Sequence, residues 1–193
     1  AGEAGEPWTR HAPMKDRIIS SLGCPVQISL EHNSHLSATM KVRYTMSIPV
    51  GLEHDTSYND TWRSEQESPL IIESFFTLKS GCPFLEVETR LENRQKNHRL
   101  RVLFPTGLYA AHSCAEQAFD VVDRVIDRDE THPYRYTDNV TYPLLRFVDL
   151  SDERQGLAIF SDGIREYEAM DDDRRTVALT LIRGFEIALC TVS

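Results

Sequence analysis

The sequence predicts an all-β fold of the sandwich or barrel type, and three observations carry that prediction. Apolar and polar residues alternate with a period of two along several stretches, the signature of half-buried strands. Those stretches are short and are separated by turns containing Gly, Pro, Asn and Asp. No segment offers a convincing amphipathic helix of four turns. Short strands with turn punctuation and almost no helix belong to sandwiches and barrels.

Val26–Leu30 and Ala38–Pro49 are the earliest strand candidates. In the second, Met40, Val42, Tyr44, Met46 and Ile48 alternate with polar or small residues. The polar stretch Gly51–Ser68 reads as an excursion from the sheet scaffold. Leu70–Leu78, rich in Ile and Phe, connects through Lys79–Pro83 to Phe84–Glu92 and predicts a hairpin. In that second run Leu85, Val87, Thr89 and Leu91 share one face, and Glu86, Glu88, Arg90 and Glu92 share the other. A turn over Asn93–His98 leads into Arg99–Pro105, expected to be the third strand of a meander. Glu116–Arg128 is the nearest thing to a helix, but its Phe119, Val121, Val122, Val125 and Ile126 suit a strand or an irregular edge equally well. Ile126–Pro143 reads as a second long excursion. Gly156–Phe160 is an apolar run, Ser161-Asp162-Gly163 a hairpin signal, and Ile164–Met170 the returning strand. Asp171–Arg175 is a charged turn before a final strand, Thr176–Arg183.

At 193 residues, with 40% hydrophobic and 26% charged residues, the chain has the composition of an ordinary soluble domain. It is long enough to bury a sizeable core without staples. The net charge of −9 repels polyphosphate, so neither nucleic acid nor an anionic membrane surface is an expected partner. No stretch approaches the ~20 apolar residues of a membrane span. Cys24, Cys82, Cys114 and Cys190 are widely spaced with no C-x-x-C pair; free thiols in a reducing compartment, the cytoplasm, are expected. The first Met is Met14, and both ends read as cuts in a longer polypeptide, the whole chain being expected to form a single sandwich domain, residues 1–193.

Hydrolytic templates are absent: no G-x-S-x-G, no H-E-x-x-H and no P-loop. His32 and His35 are the only close histidines, and on a strand or turn they do not project to one face, so no metal site is expected. Asp171-Asp172-Asp173 reads as a solvated turn rather than a calcium loop. Sugar rings pack on flat aromatic faces beside carboxylates and amides, which makes Trp8, Trp62, Tyr134 and Tyr136 candidate platforms, although loop aromatics more often anchor their loop to the sheet.

The segment Glu92–Gly107, E-N-R-Q-K-N-H-R-L-R-V-L-F-P-T-G, resembles a signature of family 38 glycoside hydrolases. Phe119–Arg124 resembles that family's F-D-V-V-x-R element, and Phe147–Asp152 with Gly156–Gly163 resembles its F-V-D-x-S-D and G-L-A blocks. Ile164–Glu168 and Thr180–Gly184 complete the series in order. Gly2–Trp8 resembles an acidic opening that precedes the β half; where many relatives carry a Tyr, this chain has Gly5 or Pro7.

The resemblance implies a large two-layer antiparallel β-sandwich similar to galactose mutarotase-like domains. It implies a parent that is a zinc-dependent, retaining α-mannosidase, with the nucleophile and the zinc in an N-terminal α/β catalytic domain, and with a helical domain between that and the β half, both expected to be partners of this segment in the same chain. A retaining mechanism needs a carboxylate held against the anomeric carbon, so this segment alone is expected to hold no catalytic residue and no metal. Its expected role is to wall the parent's mannoside pocket, with Glu3, Glu6 and Trp8 as first candidates and His98, Arg99 and Arg101 as second. The arginines equally suit a cross-strand charge pair with Glu88 or Glu92. Two other readings stand beside this one: a mutarotase-type enzyme using His98 or His112 as acid, and a carbohydrate-binding or oligomerisation module. An uncovered apolar face, with self-association through it, is a further expectation.

Overall fold

A computed structural model describes residues 1–5, 11–55, 60–126 and 141–185. Among them are fourteen strands and no helix, so the all-β prediction holds. The chain divides into two compact units, one formed by residues 1–4 and 13–97, the other by residues 5–12 and 98–193.

The first unit is built on a four-stranded antiparallel sheet of β1 (Val26–Asn33), β2 (Ser37–Pro49), β5 (Glu67–Lys79) and β6 (Glu86–Leu91), in the order β1-β2-β5-β6. A two-stranded ribbon of β3 (Leu52–His54) and β4 (Thr61–Arg63) occupies the stretch expected to be irregular. Register sorts the side chains as the alternation required. Val26 pairs with Tyr44, Ile28 with Val42 and Leu30 with Met40; Phe76 in turn faces Met40 and Val87. These apolar residues share one face. The opposite face carries Lys41, Arg43, Glu73, Glu88 and Arg90, with Lys41 2.7 Å from Glu73 and the Arg90 guanidinium 4.6 Å above the Phe75 ring.

Burial of the apolar face is uneven. Val42, Met46, Ile48, Leu70 and Ile72 are buried, whereas Val26, Ile28, Leu30, Met40, Leu78 and Val87 remain exposed.

The second unit is a sandwich. One sheet runs β10 (Tyr142–Pro143), β13 (Glu166–Ala169), β14 (Val177–Arg183), β7 (Arg99–Phe104). The other runs β12 (Gly156–Phe160), β11 (Phe147–Ser151), β8 (His112–Glu116), β9 (Val121–Val125). Ala115, Val148 and Leu150 of the second sheet meet Tyr167, Ala169, Val177 and Leu179 of the first in one buried cluster. A polar spot lies inside it. The Tyr167 hydroxyl is 3.2 Å from Ser113 Oγ and accepts from Arg124 Nη1 at 3.3 Å, while Arg124 stacks 4.7 Å over Tyr142.

Two connections differ from expectation. Arg99–Phe104 does not extend the β5–β6 hairpin into a meander; it pairs with β14 in the second unit. The reason lies in the preceding turn, where Asn97 takes a positive φ of 52° and buried Gln95 donates to Ser68 Oγ (2.9 Å) and the Pro69 carbonyl (3.1 Å). Those bonds fasten residues 93–97 to the first unit as a strap instead of reversing them into a hairpin. Ser161-Asp162-Gly163 likewise does not close a hairpin, because β12 pairs with β11 and β13 pairs with β10 and β14. Gly163, at φ 96°, turns the chain from one sheet to the other. Glu116–Arg128 resolves, as far as residue 126, into the β8–β9 hairpin closed by Gln117 N–H to the Asp120 carbonyl at 2.8 Å.

Candidate functional site

The first candidates for a sugar-facing wall begin with the strand-like strap at the start of the chain. Glu3 is fully buried, and its N–H donates to the Asn97 carbonyl at 3.0 Å. Gly2 donates its N–H to Asp16 Oδ1 at 2.7 Å and lies so close to Pro13 and Arg63 that a Cβ would meet them at 2.6 and 2.8 Å. Glycine is required there by close approach. Glu6 and Trp8 lie outside the described residues, as do Tyr134 and Tyr136.

Beside this strap, within the first unit, is a shallow depression lined by Lys15, Asp16, Trp62, Arg63, Ser64 and Glu65. The β3–β4 ribbon positions it: Lys15 bridges Trp62 in parallel, and Glu53 accepts from the Trp62 indole N–H (3.2 Å) and from Ser64 Oγ (2.7 Å). Trp62 is half-buried with its N–H committed, which leaves its ring as the contact surface. Arg63 is 8% exposed; its Nη1 lies 4.0 Å from Asp16 and its Nε has no partner. Burial lowers the Arg63 pKa from its ordinary value, against the pull of Asp16. The sequence singled out Trp62 but missed Lys15, Asp16 and Arg63, which only the ribbon's pairing brings to it.

The second candidates sit elsewhere. His98 is 2% exposed, and its carbonyl accepts from the Gly184 N–H at 2.9 Å. Arg99 reaches Glu166 (3.2 Å) and Thr180 Oγ1 (3.3 Å), and Thr180 donates to Glu166 at 2.7 Å. Arg101 pairs with Glu168. The two pairs thus span β7, β14 and β13, the arginines facing Glu166 and Glu168 rather than Glu88 or Glu92. Glu88 is taken by Arg90 and Glu92 by Arg94, each at 2.7 Å. This face lies opposite the sandwich core, yet Ala178 on it is fully buried and Glu168 is 9% exposed.

Other readings find their places. His32 contacts Ser34 Oγ at 3.2 Å within its turn. Asp172 accepts from the Thr176 amide and hydroxyl, both at 2.8 Å, and Asp171 pairs with Arg175, so both are held by the turn. His112 is exposed, 3.6 Å from Asp123, whose other oxygen accepts from the Cys114 thiol at 3.2 Å. Burial and that carboxylate push the Cys114 pKa up, which keeps it a thiol. Cys24, Cys82 and Cys114 are free; Cys190 lies outside the described residues. Among the described residues no three His, Cys, Asp or Glu side chains come together to hold a metal ion.

The model of the glycosyl hydrolases family 38 C-terminal domain matches residues 26–186. The chain belongs to that family. Over 95% of its length it is 25% identical to a protein of Halalkalibacterium halodurans named "Putative mannosylglycerate hydrolase", of which it covers 21%. An alpha-mannosidase from Enterococcus faecalis V583 matches over 95% of the chain with TM-score 0.84 and 28% identity, and 21% of that chain is covered. A second Enterococcus faecalis structure, of a protein in the glycosyl hydrolase family 38, gives 0.83 and 27%, again over 95% of the chain and 22% of the other. This family 38 C-terminal domain therefore spans about a fifth of the length of those relatives, and the ordered blocks from Glu92 to Gly184 were the signal that located it.

Proposed function

We propose that this family 38 domain works as part of a longer α-mannosidase-like hydrolase, as a non-catalytic wall of its sugar pocket. The observation that carries the proposal is the match to a C-terminal family domain by a chain covering only 21% of an alpha-mannosidase. Zinc belongs, on this reading, to the catalytic part of the longer chain; the described residues here offer it no ligand set, and no step is assigned to it. The sugar-facing surface proposed is the Trp62 depression; Glu3, fully buried, can only support it from behind. A half-buried indole beside Lys15, Asp16 and Arg63 combines the apolar plane and charged hydrogen-bonding groups that hold a pyranose.

The isolated 193-residue chain is expected to leave an aryl α-mannoside untouched. In the full-length hydrolase, Trp62→Ala is expected to lower kcat/KM about tenfold, the equivalent of roughly 1.4 kcal/mol, with secondary structure unchanged by circular dichroism. Turnover by the isolated chain that vanishes on substituting one of its own carboxylates would overturn the wall reading.

A further inference from the structure

The uncovered half of the apolar sheet face in the first unit has no explanation in the wall reading. Strands β1, β2, β5 and β6 set Val26, Ile28, Leu30, Met40, Leu78 and Val87 side by side, exposed by 49, 64, 64, 45, 59 and 49%. Together they present on the order of 600 Å² of apolar side chain, the upper end for a monomer's largest patch and most of one side of a standard interface. The patch continues the buried half of the same face, Val42, Met46, Ile48, Leu70 and Ile72. Charge is confined to the reverse face, where Lys41, Glu73, Glu88 and Arg90 compensate one another.

From this we infer that the exposed half-face is the seat of the remaining polypeptide of the longer hydrolase, which lays an apolar surface over β1, β2 and β6. The inference rests on the proposal that such a longer chain exists. The relatives carry about four-fifths of their length outside the matched region, enough to supply the cover. A flat face of alternating aliphatic side chains accepts an apolar layer, sheet or helix, about 10 Å away. The patch contains no charge that such a cover would have to neutralise.

Hydroxyl-radical footprinting of the full-length hydrolase and of the 193-residue chain, the latter kept dilute enough to sediment as a monomer, tests this without mutation. Met40 and Leu30 are expected to oxidise at least tenfold more slowly in the longer protein, while Ile71 and Phe75 on the reverse face change less than twofold. Equal rates at Met40 and Leu30 in both proteins would overturn the inference, as would protection already complete in a monomeric 193-residue chain. Protection that appears in the longer protein only as it dimerises would assign the face to a second copy, and equally overturn it. Leu30→Lys gives an independent arm: it is expected to leave the 193-residue chain folded and to loosen the longer protein, read as faster limited proteolysis. Unchanged proteolysis would count against the cover. Because neither arm reads turnover, failure here leaves the Trp62 assay standing, and failure of that assay leaves this one intact.

Discussion

Two side chains show how single residues set local order here. Tyr167 is fully buried yet keeps its hydroxyl satisfied by Ser113 and Arg124, so a phenol stands where a plain aromatic ring would leave a buried serine unpaired. Asp172 ties the β13–β14 turn by accepting from both the amide and the hydroxyl of Thr176, itself 4% exposed. Burial pulls the Asp172 carboxyl upward, but the Thr176 and Arg174 hydrogen bonds outweigh it and hold the carboxyl below its ordinary value. A folded value below the unfolded one means the stabilisation is present above the unfolded pKa and lost as pH falls through the folded one. Asp172→Ala is expected to cost about 1–2 kcal/mol at pH 7. In urea titrations the gap between variant and parent should narrow below about pH 4, the unfolded carboxylate range. A gap of constant size down to pH 2 would show that the charge contributes nothing.

Among the elements, β7, β13 and β14 are joined by more than their ladders. Arg99, Thr180 and Glu166 form a chain of polar contacts across three strands, with the Arg99 side chain 2% exposed. Removing one partner of such a pair leaves a charge stranded, whereas replacing both is mild. Arg99→Ala is therefore expected to lose about 3 kcal/mol. Arg99→Met combined with Glu166→Met should recover most of that in the same urea titration. This network also shows where sequence reading stops. Strand identity was legible, because period-2 alternation is local: β2, β5, β6, β7 and β14 fall within a few residues of their expected bounds. Partner choice was not. Arg99 and Glu166 belong to strands 67 residues apart, as do Arg101 and Glu168, and no spacing rule reaches that far. Nearby Glu88 and Glu92 were the plausible partners in sequence, and the strap at Gln95 and Asn97 is what removed them. The Trp62 depression was half legible for the same reason. An aromatic in a polar stretch is visible in one dimension, but its neighbours Lys15 and Arg63 arrive through a two-stranded ribbon and a parallel bridge.

The whole molecule carries a charge of −9, and its first unit presents an apolar patch on one sheet face. Like charge opposes association and the patch favours it. Sedimentation of the 193-residue chain is expected to show self-association that strengthens in sodium sulfate, which screens the first term and reinforces the second. The Ile28→Lys, Leu30→Lys double variant should remain monomeric under the same conditions; association unchanged by those lysines would mean that a different surface drives it. The β7–β14 ladder has a further consequence, in time rather than in space. It joins residues as much as 84 apart, Arg99 with Arg183, so the sheet of the second unit cannot zip from a local nucleus. Its hairpin β13–β14 forms cheaply, then waits for a distant strand to diffuse in against the entropy of a long closed loop. This sandwich should therefore be a slow folder, on the order of milliseconds to seconds, whose last event is the arrival of β7 beside β14.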